Sequence, residues 1–92
     1  MKLDVDVRKS RIDQRYLDKM RKDASVKEVN LAGGLQGVYN SLRHWGRVID
    51  PQTMTLVAEV STPIVFNEEH QESYLPRFKQ DYFVMAGFEL AE

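Results

Sequence analysis

Tyr82-Phe83-Val84-Met85-Ala86-Gly87-Phe88-Glu89-Leu90 is the stretch on which the fold turns. Its residues are apolar on both alternating faces until Glu89, the pattern of a strand with neighbours on each side, so the sequence predicts a central strand here. Immediately upstream, Asn67 followed by Glu68 and Glu69 has the chemistry of a helix start, a capping side chain and two acids at the positive end of the dipole. Pro76 limits that helix to a short one.

Working further outward, Met54, Leu56, Ala58 and Val60 alternate with Thr53, Thr55, Glu59 and Ser61, and β-branched residues abound, as in a strand. Pro63 interrupts the run, which must bend, bulge or lie at an edge there before Ile64-Val65-Phe66. Asp50-Pro51-Gln52-Thr53 is turn chemistry, so a hairpin precedes it. Residues 26–46 are ambiguous by periodicity. Gly33-Gly34 permits a tight turn, Gly37 and Gly46 lower helix propensity, and Arg47-Val48-Ile49 favours extension, which tips the segment towards strand.

At the other end, Leu3, Val5 and Val7 alternate with Lys2, Asp4, Asp6 and Arg8, a strand with one buried and one wet face. Ser10 then stands where an N-cap is wanted, with Asp13 three residues on, and Ile12, Tyr16, Met20 and Ala24 follow the i, i+4 rule; a basic amphipathic helix is predicted over residues 10–24. The order strand, helix, strand, strand, short helix, strand implies an α+β fold of the ferredoxin-like split βαβ type, an antiparallel sheet with helices on one face.

Ninety-two residues, 42% apolar and 29% charged, predict a single α+β domain over 1–92 with a thin core. The absence of cysteine excludes disulfides, thiol chemistry and cysteine-ligated zinc, and fits a reducing compartment. No stretch approaches the roughly 20 apolar residues of a membrane span, and the charged start MKLDVDVRKS is unlike a signal peptide; a cytoplasmic protein with no membrane partner is expected. The charge is uneven. Residues 1–47 carry 11 basic and 6 acidic residues, a net of +5, whereas residues 48–92 carry 2 and 8, a net of −6. Such asymmetry suits a basic face for nucleic acid or complementary faces for docking copies of the chain, unless the charges intermingle on the folded surface.

Few residues suggest chemistry. His44 and His70 are the natural places to seek a general acid or base, yet neither has a companion motif. Glu68 and Glu72 would share a helix face while His70 points about 200° away, which argues against a metal site. The serines lie in no nucleophile elbow, and Gly33-Gly34-Leu35-Gln36-Gly37 lacks the lysine and hydroxyl of a phosphate loop. No catalytic residue, cofactor or metal is therefore expected. A sheet with helices on one side leaves its other face open, and Tyr39, Trp45, Phe66, Phe83 and Met85 become candidate interface residues. The leading expectation is a non-enzymatic interaction or assembly module, homo-oligomeric through its sheet face or an edge strand or joined to another protein. The alternatives are a nucleic-acid-binding accessory protein using the basic helix 10–24, with Arg8, Lys9, Arg11, Arg15, Lys19 and Lys22 as the candidate contacts, and a small-molecule or enzymatic site around His44 and Trp45.

Overall fold

In the computed structural model, which describes residues 2–92, ten elements follow one another. They are β1 (Asp4–Arg11), α1 (Gln14–Arg21), β2 (Val26–Asn30), a 3-10 turn (Ala32–Gly34), β3 (Gln36–Asn40), β4 (Trp45–Asp50), β5 (Thr55–Ser61), β6 (Val65–Asn67), β7 (Glu72–Tyr74) and α2 (Asp81–Met85). Strands β2 to β5 form an antiparallel meander, and β1 adds to the far side of β5, giving the order β1-β5-β4-β3-β2. The helix α1 carries the chain from one edge of this sheet to the other. β6 and β7 form a separate two-stranded ribbon.

The ferredoxin-like expectation is overturned. Its second half needs a helix after residue 67 and a strand over 82–90; the chain has instead a hairpin at 65–74 and a short helix at 81–85. Nor do the helices share a face. Leu17 of α1, with Ile12 and Met20, packs on Val38, Ile49 and Leu56 on one side of the sheet. Phe78, Tyr82 and Phe83, in and before α2, pack on Val48, Ala58 and Val60 on the other.

The aromatic layer over this second face depends on two glycines. Gly37 and Gly46 lie diagonally on β3 and β4, and Phe83 and Phe78 rest directly on them: a Cβ at position 37 would fall 2.6 Å from the Phe83 ring, and one at 46 would fall 2.7 Å from Phe78. Both rings are sealed, at 0% and 2% exposure, and their centroids are 4.9 Å apart. Burying them supplies several kcal/mol of the driving force, on the scale of about 3–5 kcal/mol per Phe→Ala truncation. The segment is then closed by a left-handed Gly87 at φ 103, with Phe88 N–H donating to the Phe83 carbonyl and Gly87 N–H to that of Val84. This Schellman stop turns the apolar run at 82–90 into a helix and a return rather than a strand. Only Leu90 reaches a ladder, as a bridge to Leu31.

The N-terminal helix is shorter than its pattern. Ser10 and Arg11 remain in β1, and Asp13 is the N-cap, its carboxylate accepting from Arg15 N–H at 2.9 Å. Arg11, read as part of the helix predicted over 10–24, is accordingly on β1 with Arg8 and Lys9. The strand readings of 2–8, 26–46 and 53–61 correspond to real strands, but β1 lacks the buried face expected of it: every residue from Asp4 to Arg11 is exposed, because neither helix layer extends over this edge. Asp50 accepts from Gln52 N–H in the turn between β4 and β5.

Candidate functional site

Two features stand apart from the core. The first is the β6–β7 arm. Thr62, buried where β5 ends, anchors it: its N–H donates to the His44 carbonyl at 2.8 Å, and its Oγ1 lies 2.8 Å from the Pro76 carbonyl. Between these two fixed points Val65 pairs with Tyr74, Phe66 with Ser73 and Asn67 with Glu72. The turn is shaped by Asn67, whose Oδ1 accepts from His70 N–H, and by Gln71 at φ 54. Ile64, Phe66, Tyr74 and Leu75 are 69%, 54%, 50% and 43% exposed. Alternation puts Phe66 on one face of the ribbon and Val65 and Tyr74 on the other. Glu68, Glu69 and Glu72 crowd its tip, with no Lys or Arg from 62 to 76.

The second feature is a groove of about 450 Å³ between α1 and the start of β4, lined by Tyr16, Lys19, Met20, Val26, Arg43 and Trp45 among others. A charged cluster lies beside it, against the Tyr16 and Trp45 walls. The Arg47 guanidinium stacks 4.2 Å over Trp45 and 5.3 Å from the Tyr16 ring, and its Nε lies 3.2 Å from Glu59, an ion pair without hydrogen-bond alignment. Glu59 stands opposite both Arg47 and Asp6 in the sheet register, so two carboxylates face each other across β1 and β5. Arg8 relieves this repulsion, reaching Glu59 at 2.8 Å and Asp6 at 3.5 Å.

The five candidate interface residues fall in three places. Phe83 is in the core, and Tyr39 is half-buried beside it, 6.0 Å from its ring. Trp45 lines the groove on the opposite face of the sheet. Phe66 and Met85 are exposed, on the arm and on α2 respectively. His44 and Trp45 do not form one pocket: the His44 ring turns to the Pro76 carbonyl at 3.3 Å, on the side of the C-terminal layer. Of the basic candidates, Arg8 is engaged with Glu59 and Arg15 with Asp13, while Lys9, Arg11, Lys19 and Lys22 are spread over β1 and α1. Among the described residues no three His, Cys, Asp or Glu side chains converge as metal ligands.

Sequence reasoning missed the arm because it read Asn67-Glu68-Glu69 as a helix start. The pair of strand glycines was the available signal for the aromatic layer, since glycine inside a strand marks a close approach.

The site thus belongs to a small antiparallel sheet layered on both faces by its own chain, carrying an exposed apolar arm. Compared with protein-family models, with curated proteins and with solved structures, the chain finds no match in any of the three. Among the described residues no helix is long and apolar enough to cross a membrane.

Proposed function

We propose that the protein is a non-enzymatic interaction module that assembles with copies of itself through the β6–β7 arm. The observation that carries this reading is the exposure of Ile64, Phe66, Tyr74 and Leu75 on one short ribbon. A two-stranded hairpin is marginal alone in water, and an apolar one gains stability when a partner covers it. The other routes to assembly are less suited. Both faces of the central strands β3, β4 and β5 are layered by α1 and by residues 78–88, while β1 is exposed throughout. Of the two sheet edges, β1 is broken by a register shift between Val7 and Ser10 and carries Arg8, Lys9 and Arg11, and β2 carries Lys27 and Glu28, devices that discourage edge pairing. The opposite net charges of the two halves favour a second copy as the partner.

Sedimentation velocity at high-micromolar concentration tests the reading. The chain should run at twice its 10.7 kDa or more, and Ile64→Ser with Phe66→Ser should return it to the monomer mass, whereas Val7→Ser on β1 should not. A wild-type chain that stays monomeric, or a dimer indifferent to the arm, overturns it.

A further inference from the structure

We infer that the arm of one copy occupies the α1–β4 groove of the other, and that the two arms are exchanged reciprocally about a two-fold axis. This rests on the self-assembly reading and specifies the surface that receives the arm.

Charge and chemistry match. The groove has aromatic and aliphatic walls, Tyr16, Met20, Val26 and Trp45, with Lys19 and Arg43 at its rim. Among the described residues neither cation has an ion pair; the one acid of the lining, Asp23, accepts from Ser25 N–H at 2.9 Å. The arm is the complement: Phe66 stands next to a tip that carries Glu68 and Glu69, with Glu72 on the ribbon's other face, and among the described residues none of the three acids is in an ion pair. An apolar anchor with acids at its tip thus meets an apolar slot that carries two bases, the arrangement that sets orientation as well as affinity.

Placement supplies the closure. Trp45 is opposite Ser61 across β4 and β5, and Val26 is opposite Asn40 across β2 and β3, so the groove opens at the end of the sheet from which the arm departs. From Ser61 to Glu68 an extended chain advances roughly 20 Å, more than the roughly 12 Å length of an eight-residue helix such as α1. With donor and acceptor surfaces at one end, a two-fold axis there forms both arm–groove contacts at once and closes the assembly as a dimer. A one-way contact of arm to groove without that axis would give rings or open fibres.

Charge reversal decides it. Lys19→Glu with Arg43→Glu should weaken the dimer roughly ten-fold or more, as should Glu68→Lys with Glu69→Lys, and the four together should restore affinity. The chain has no cysteine, so Glu69→Cys with Asn40→Cys offers a direct check, since oxidation should yield a covalent dimer. A dimer dissociated by Phe66→Ser yet indifferent to groove reversal, with no restoration, overturns the exchange and leaves self-assembly through the arm standing. A wild-type monomer overturns both.

Discussion

Adding one methyl group at Gly46 probes the aromatic layer most directly. The new Cβ would stand 2.7 Å from Phe78 Cε1 and 2.8 Å from Phe83 Cζ, well inside van der Waals contact. Neither ring can retreat, because Phe78 is wedged against Tyr82 in an edge-on contact at 5.4 Å and against Phe83, and both phenylalanines are sealed from solvent. Overpacking of this kind costs about 1–3 kcal/mol. Replacing a strand glycine returns about 0.5–1 kcal/mol through the unfolded chain. With both rings clashing, Gly46→Ala should destabilise by about 2 kcal/mol net. Urea unfolding followed by the single tryptophan, Trp45, measures this: with m of about 1–1.5 kcal/mol/M, the midpoint should fall by about 1.5 M. In a Phe83→Leu background, where the clash is partly relieved, the same methyl should cost less than about 1 kcal/mol. If residues 82–90 formed a central strand, no ring would lie over Gly46 and alanine would be neutral or stabilising. A midpoint that stays or rises therefore refutes the C-terminal layer.

Other perturbations test the remaining joints. Asp13→Ala should cost about 1 kcal/mol and speed amide exchange at Arg15, whose N–H the carboxylate accepts, whereas Ser10→Ala should change stability by less than about 0.5 kcal/mol, because Ser10 caps nothing. Thr62→Val should cost about 1–3 kcal/mol by removing the hydroxyl that bonds the Pro76 carbonyl, and hydrogen exchange should show the arm loosening with it. Arg47→Met should shift Trp45 emission and cost about 1 kcal/mol, since it ends the stacking and leaves Arg8 alone to balance Glu59 and Asp6; adding Glu59→Gln should recover part of that loss, which a purely additive pair would not.

The meander was legible because its signals are local. Alternation in β1 and β5, the Asp50-Pro51 turn and the glycine pair at 33–34 each act within a few residues, and Gly33 and Gly34 do adopt positive φ, 78° and 76°. The misread segments are those where one local interaction serves two structures. Asn67 accepts from the N–H three residues on, as a helix cap would, but Gln71 at φ 54 sends the chain back as a hairpin. The run at 82–90 is apolar all round, yet Phe83 and Tyr82 face the sheet while Val84 and Met85 face solvent, a division that a short apolar stretch does not reveal by period. The extent of α1 failed for a similar reason: Ser10 and Asp13 are both capping residues, and the ladder to β5, which holds Ser10 opposite Leu56, decided between them.

These corrections bear on assembly together. An apolar surplus is read from the sequence on the premise that one sheet face lies bare. The chain covers that face itself, with Phe78 and Phe83 seated on the glycine floor, and the candidate Phe83 is consumed in doing so. The surplus does not vanish; it moves outward, because residues 64–75, freed from forming a helix on the sheet, carry Ile64, Phe66, Tyr74 and Leu75 into solvent. The acidity of the second half moves with them, through Glu68, Glu69 and Glu72, while the free cations Lys19 and Arg43 stay beside the groove at the same end. What reads in the sequence as a charge difference between halves thus becomes, in the fold, a charge difference between an arm and a slot. For the proposed pairing of copies that relation is a better basis than a bare sheet face, since it would set both what is buried and which way round it docks.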